Sequence, residues 1–305
     1  MNKEKILITG GSGFVGTNII DQLSEKNFEI FSLDIEEPKK IKENVKYVNL
    51  DIRSKDLKNV IEKIDPEIII HLAAQSSVSI SSKDPLIDND INLNGSLNLL
   101  LNLLNLQSRH LIFFSTGGAI YGEEIGKKFN EDDTPKPLSP YGISKLNFEN
   151  YLNYYSKLNL FNGKISIVRP SNIYGPWQNP KGEAGVVSIF SDRMLKGEDI
   201  IIFGNGNEYR DYIFIDDVIE FVYKLIELNL QGTFNVSFGE TTKTKDIFKS
   251  IANIIGYNKP PILHNKREGD IFGIDLDNSK SIGLGWSPKI NLELGLMKTI
   301  KFLKK

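Results

Sequence analysis

Tyr141 and Lys145, in the stretch PLSPYGISKLNFE at 137–149, have the types and spacing to do chemistry. Pro140 suits the first turn of a helix, which needs no N–H from that residue. In such a helix the two side chains fall on one face, a turn apart. An ammonium beside a phenol favours the phenolate and lowers the tyrosine pKa. The product is a base able to take a proton from a hydroxyl near neutral pH. In a lysine-rich chain with 11 tyrosines, about one such pair is expected by chance, and most are surface decoration. The meaning of this pair therefore depends on what surrounds it.

Bulk composition narrows the field. With 37 basic and 39 acidic residues, a net charge of −2 and no block of like charge, neither nucleic acid nor an anionic membrane is indicated as a partner. The absence of cysteine excludes disulfides, thiolate chemistry and Cys-based zinc or iron–sulfur sites. His71, His110 and His264 lie far apart without ligand spacing, so no metal site is expected. The apolar run in MNKEKILITGG breaks after a few residues, and no signal peptide or spanning helix is read anywhere. A soluble, cytoplasmic protein is expected.

The elements that must position the pair alternate. KILIT at 5–9 reads as a buried strand, followed by Gly10-Gly11-Ser12-Gly13-Phe14-Val15-Gly16 and an amphipathic run to about Glu25. A strand, a tight glycine turn and a helix N-terminus together favour a pyrophosphate. The next strand, FEIFSL, ends at Asp34, whose carboxylate can accept from a ribose 2′-hydroxyl and would repel a 2′-phosphate. NAD is thus favoured over NADP. Strands at 45–50, 68–72, about 110–115 and 164–169 alternate with helices at about 55–64, 86–106 and from Pro140. This repetition predicts a doubly wound parallel sheet of the Rossmann type, with ligands at the carboxyl ends of its strands. Residues 1–170 would form the NAD-binding domain, with 209–239 returning to it. A smaller, discontinuous substrate domain would take the rest of 171–305, mainly 171–208 and 240–305. Helices are also expected at 215–229, at 244–256 and in the C-terminal run NLELGLMKTIKFLKK.

Inside such a sheet, the chain resembles the extended short-chain dehydrogenase/reductase family, and within it the NAD-dependent nucleotide-sugar epimerases and dehydratases. The resemblance runs through Gly10-x-x-Gly13-x-x-Gly16, Asp51-Ile52, His71-Leu72-Ala73-Ala74, Asn92-x-Asn94-Gly95, Ser115-Thr116, Tyr121-Gly122 and Tyr141-x-x-x-Lys145. It continues through Arg169-Pro170-x-Asn172-x-Tyr174-Gly175-Pro176, Arg210-Asp211-Tyr212, Asp216-Asp217-Val218, Arg267-x-Gly269-Asp270 and Gly285-Trp286-x-Pro288. Any one motif is weak; the ordered set is strong.

The resemblance implies that Gly10, Gly13, Phe14, Val15 and Gly16 bracket the cofactor pyrophosphate. Asp51 and Ile52 would meet the adenine, while Leu72, Ala73, Ala74, Gln75 and Asn92 line the groove. Tyr141 would be the acid/base and Lys145 would hold the nicotinamide ribose. Many members place the hydroxyl that orients the sugar four residues before the Tyr-Gly pair, where this chain has Gly117. Reading the segment as one residue longer gives that role to Thr116, with Ser115 the alternative. Asn172, Arg210 and Arg267 would hold a nucleoside diphosphate, with Tyr212 and Asp270 nearby and Ile201-Ile202-Phe203 flanking the base. Arginine suits that task because its fork donates two hydrogen bonds at once.

The reaction is narrowed by what is missing. Related 4,6-dehydratases carry an Asp-Glu pair after the threonine, and elimination needs a general acid; Gly117-Gly118-Ala119 offers none. Relatives that invert carbons beside the keto group use a cysteine and a histidine, and this chain has no cysteine. What remains is oxidation and re-reduction at one carbon: a nucleotide-sugar 4-epimerase, with UDP-glucose/UDP-galactose the leading pair. A UDP-N-acetylhexosamine stays open, because the residue that gates the 2-acetamido group in similar enzymes is here Ile274, intermediate in size. Other nucleotide-sugar dehydratase or oxidoreductase activities are further alternatives. So is a catalytically silent NAD-binding regulator, although Thr116, Tyr141 and Lys145 argue against it. The resemblance also implies a homodimer packed through helices that include 140–158.

Overall fold

The computed structural model describes residues 3–104, 106, 109–181, 185–266 and 271–304. The chain divides into two compact units. One comprises Met1–Ser115, Pro140–Val168 and Ile219–Phe234; the other comprises Thr116–Ser139, Arg169–Val218 and Asn235–Lys305.

The first unit is built on a seven-stranded sheet. Its order is Gly232–Val236, Gly163–Pro170, Arg109–Phe114, Ile68–His71, Glu4–Thr9, Phe28–Asp34, Val45–Asn49. From Gly163–Pro170 onward every pairing is parallel. The sequence dictates this: Ile6, Leu7, Ile8, Ile69 and Ile70 are all fully buried, as continuous apolar runs must be when helices cover both faces. The chain moves outward from Glu4–Thr9 in opposite directions, to Phe28–Asp34 on one side and Ile68–His71 on the other. That reversal opens a crevice at the carboxyl ends of the strands.

One helical layer seals the sheet through Leu57 and Ile61, Leu99, Leu100 and Leu103, and Phe148 and Leu152, packed on Leu7, Leu33, Ile69, Leu111 and Phe113. Each large side chain so buried contributes about 1.5–3 kcal/mol. Phe148 and Leu152 come from the helix Pro140–Lys157, whose buried face also holds Gly142, Ser144, Lys145 and Glu149. Its inward stripe therefore turns polar toward the N-terminal half, where Tyr141 stands.

The single helix expected over 86–106 is instead a helix Pro85–Asn89, a π-turn Asp90–Gly95 and a helix Ser96–Leu103. Periodicity in sequence cannot register one wide turn inside an apolar run. The turn is anchored by Ser96, whose hydroxyl takes the Asn92 carbonyl at 2.6 Å. Wide turns of this kind gather at functional sites, and this one carries Asn92.

In the second unit a three-stranded sheet is ordered Thr241–Lys243, Tyr209–Phe214, Asn172–Tyr174. Helices Val186–Leu195, Thr244–Ile255 and Leu292–Leu303 pack on one another. The first of these was not foreseen, since glycine- and proline-rich stretches surround it. No helix among the described residues is long and apolar enough to cross a membrane.

Candidate active site

Within the glycine turn, close contacts leave no room for a side chain at Gly10 or Gly16. Gly10 has φ +74°, and a Cβ there would lie 2.6 Å from the Ala73 amide nitrogen. At Gly16 a Cβ would stand 2.3 Å from the Gly10 carbonyl oxygen. The helix Phe14–Leu23 then begins at Gly13, with no side-chain cap, so its first amides and its dipole face the end of the sheet. Asp34 Oδ2 accepts from the Ser12 amide at 2.8 Å and Oδ1 from the Glu36 amide at 3.0 Å. This orients the carboxylate and leaves it acceptor capacity for ribose hydroxyls. Gly16→Ala should shed cofactor during purification and cost about 1–3 kcal/mol of stability, the usual penalty for overpacking. Absorbance at 260 nm and a melting curve would check both.

Asp51 is gripped by Arg53, Oδ2 to Nη2 at 2.6 Å, and Arg53 also reaches Asp90 at 2.8 Å. Hydrogen bonds from Arg53 hold the Asp51 carboxyl below its usual range. Ile52 beside it is buried. Leu72 and Ala73 continue from the strand end, with the Leu72 amide bonded to the Thr9 carbonyl at 3.0 Å.

Lys145 is only 4% exposed. Its Nζ donates to the Phe114 carbonyl at 2.9 Å and sits 4.8 Å from the Phe113 ring centroid. Burial pushes its pKa down to about 8, against the pull of Asp88 and Glu149. Around it runs a network that sequence reading caught only in part. Asn92 Oδ1 accepts from the Gln75 amide at 2.8 Å, while Asn92 Nδ2 donates back to the Gln75 carbonyl at 2.9 Å. Asp88 Oδ1 accepts from Gln75 Nε2 at 2.8 Å and Asn92 Nδ2 at 3.1 Å; Asp88 Oδ2 accepts from the Ser144 hydroxyl at 2.7 Å. Asp88 and Ser144 were missed. PLIDN reads as an ordinary solvated helix, and nothing local in the sequence marks Asp88 or Ser144.

His71 is neutral, and its tautomer follows from its neighbours. Ser96 spends its hydrogen on the Asn92 carbonyl, so it accepts from His71 Nε2 at 2.8 Å. Nδ1 then accepts from the Thr9 hydroxyl at 2.7 Å. Burial, then Lys145, drives the His71 pKa down to about 3.

Of the two hydroxyl candidates, Ser115 belongs to the first unit and Thr116 to the second. Ser115 Oγ is buried without a hydrogen-bond partner among the described residues, which in a native fold calls for an explanation such as a ligand. Thr116 is the N-cap of the short helix Gly117–Ile120, makes no capping bond and is 8% exposed. At Gly117 a Cβ would meet Leu276 Cδ1 at 2.4 Å and the Arg169 carbonyl oxygen at 2.9 Å. A carboxylate side chain has no room at 117.

Elsewhere in the second unit, the Tyr121 hydroxyl donates to Asn235 Oδ1 at 2.7 Å and accepts from Arg169 Nη1 at 2.8 Å. Burial raises its pKa to about 12, so this tyrosine braces the fold. Asn172 is exposed at the start of its strand. Its Oδ1 lies 3.4 Å from where a Cβ on Gly118 would stand, and Thr116 Oγ1 lies 3.9 Å from that point. Arg210 donates to the carbonyls of Tyr209 at 2.7 Å, Ile271 at 2.9 Å and Phe272 at 3.2 Å. Tyr212 is buried edge-on to Tyr174, its hydroxyl pKa raised to about 12 by burial. Asp211 between them accepts from Ser171 Oγ and the amides of Phe238 and Gly239. Arg267 and Asp270 lie outside the described residues.

A glycine turn at a topological switch point, with an acceptor carboxylate on the neighbouring strand, marks a dinucleotide-binding protein of the Rossmann class. The chain belongs to the NAD dependent epimerase/dehydratase family, whose model matches residues 6–237. It is similar to the UDP-glucose 4-epimerase of Mycolicibacterium smegmatis, 36% identical over 310 residues with 98% of each chain covered. A crystal structure of UDP-glucose 4-epimerase with UDP-glucose from Thermotoga maritima is 38% identical, with TM-score 0.93 and 98% of both chains covered. The Thermus thermophilus UDP-glucose 4-epimerase in complex with NAD is 35% identical, with TM-score 0.92, covering 98% of this chain and 99% of that one. NAD is the cofactor of this family, and the tight glycine turn, the uncapped helix and Asp34 fit it.

Proposed function

We propose that the chain is a UDP-sugar 4-epimerase, with UDP-glucose and UDP-galactose as its pair. Gly117 carries this reading: the first of the two positions where a dehydratase would carry its acids has no room for a side chain, and the second is glycine, while a tyrosine and a buried lysine share one helix. The first unit holds NAD and the second holds the nucleoside-diphosphate sugar. When bound, NAD would supply the hydride acceptor for C4 of the sugar and the donor that restores the C–H bond. Tyr141 removes the proton from the 4-hydroxyl and later returns it. Lys145 binds the nicotinamide ribose, and Thr116, or Ser115 in its place, orients the reacting hydroxyl. Asn172, Arg210 and Arg267 hold the diphosphate, with Tyr212 and Asp270 beside them. Anchored only there, the keto sugar can turn its other face before hydride returns.

A panel of UDP-, dTDP- and GDP-sugars, with product stereochemistry read by NMR, tests the assignment. Interconversion of UDP-glucose and UDP-galactose is expected. A dTDP-4-keto product would replace epimerisation by elimination, turnover confined to UDP-N-acetylhexosamines would change the sugar, and full NAD occupancy without turnover would sink the enzyme.

We further infer a homodimer. Leu86 (82% exposed) and Ile87, with Ile143, Tyr151 and Tyr154, leave apolar surface uncovered on two helices that pack together in the first unit. Light scattering should give twice the chain mass, and Leu86→Glu with Tyr154→Glu should give a monomer that keeps its fold by circular dichroism. A wild-type monomer at micromolar concentration would dispose of the idea.

A further inference from the structure

Asp88 is 1% exposed, and a carboxylate taken out of water needs compensation from hydrogen bonds and opposite charge. Both are present. Three side chains from three parts of the chain donate to it: Gln75 from the loop after strand Ile68–His71, Asn92 from the wide turn, and Ser144 from the helix of Tyr141 and Lys145. Ser144 commits its one hydrogen to Asp88, and its Oγ stands 3.0 Å from the Tyr141 carbonyl oxygen, so the carboxylate is bonded to the turn of helix that carries the tyrosine. Gln75 and Asn92 are themselves locked by a reciprocal amide pair. Asp88 is thus the common acceptor where the candidate cofactor groove meets the candidate catalytic helix.

We propose that Asp88 is the positioning residue of this site, setting the helix register through Ser144 and keeping Lys145 protonated by its buried negative charge. This deepens the epimerase reading and rests on it for the role of Lys145. The groups around Lys145 are few. Asp88 faces it from helix Pro85–Asn89, Glu149 and Tyr141 share its own helix, and neutral His71 comes from the sheet. The Phe114 carbonyl accepts a hydrogen bond from its Nζ. Glu149 and Asp88 are the two anions that oppose its desolvation. Losing one should therefore move the lysine much further toward the neutral amine, which cannot donate to a ribose hydroxyl with the same strength.

Asp88→Asn and Ser144→Ala separate charge from geometry. Asparagine keeps the acceptor for Gln75 and Asn92 but removes the charge. Alanine at 144 removes the tie to the helix and leaves the charge. In protein labelled with ¹³C-lysine, the Lys145 ε-carbon, assigned through Lys145→Met, should titrate near pH 8. Asp88→Asn should lower that midpoint by about one pH unit or more, and Ser144→Ala should leave it in place. The alkaline limb of kcat should move with the midpoint in Asp88→Asn only, while Ser144→Ala lowers kcat at every pH. An unmoved midpoint in Asp88→Asn, or equal shifts in both variants, overturns the proposal. Because the titration needs no turnover, an inactive protein would count against the epimerase reading without touching this one.

Discussion

Tyr141→Phe should reduce epimerisation by about 10²- to 10⁴-fold, the range that a positioned acid/base supplies. The substitution removes one oxygen and leaves the ring on the first turn of its helix. Ser144 and Lys145 behind it keep their bonds to Asp88 and to the Phe114 carbonyl. NAD content and KM for the UDP-sugar should therefore stay within a factor of a few. The loss should fall on kcat, as it does when an interaction made only in the transition state is deleted. A kcat within tenfold of wild type would show that another group moves the proton. A joint loss of cofactor and kcat would instead mean that the hydroxyl binds.

The second large effect is on stability, and its sign follows from burial. Folding lowers the Lys145 pKa from 10.5 to about 8, so between those values the unfolded chain binds more protons than the folded one. Stability contributed by this group accordingly rises as pH climbs from about 8 to 10.5, and the cost of the buried charge is fully present below pH 8. The unfolding free energy of wild type minus that of Lys145→Met, both NAD-free, should increase by about 3 kcal/mol across this window. Urea denaturation at pH 7.5 and pH 10.5 gives the difference directly. A flat difference would mean that the ammonium reaches water. On the proposed role of Lys145 as the ribose ligand, the methionine variant should also be inactive at every pH.

Much of the framework can be read from one dimension. KILIT, IIIH and HLIFF are short, β-branched or aromatic apolar runs that alternate with helical segments, which marks strands covered on both faces, and Gly10, Gly13 and Gly16 punctuate the start of the first helix. Pro140 marks the start of its helix. These are local constraints: sterics, periodicity and turn chemistry act within a few residues. The helix Val186–Leu195 escaped because β-branched residues open it and glycines precede it. The π-turn escaped because its cause, the Ser96–Asn92 and Asn92–Gln75 bonding, includes a partner 17 residues away.

By itself the sequence determined that Tyr141 and Lys145 share a helix face, that a glycine turn and Asp34 stand at the ends of neighbouring strands, and that no acid directly follows Thr116. Spacing and residue type are enough for such statements. Only the tertiary structure decided that Lys145 is buried rather than solvated, since that depends on Phe113, Phe114 and Asp88 arriving from other elements. It alone revealed Asp88, 56 residues from Ser144 in the chain yet 2.7 Å from it in the fold. It also turned the glycine at 117 from an omission into a necessity, because Leu276 and the Arg169 carbonyl fill the space. Desolvation and excluded volume are properties of what packs around a residue, and a linear pattern does not contain them.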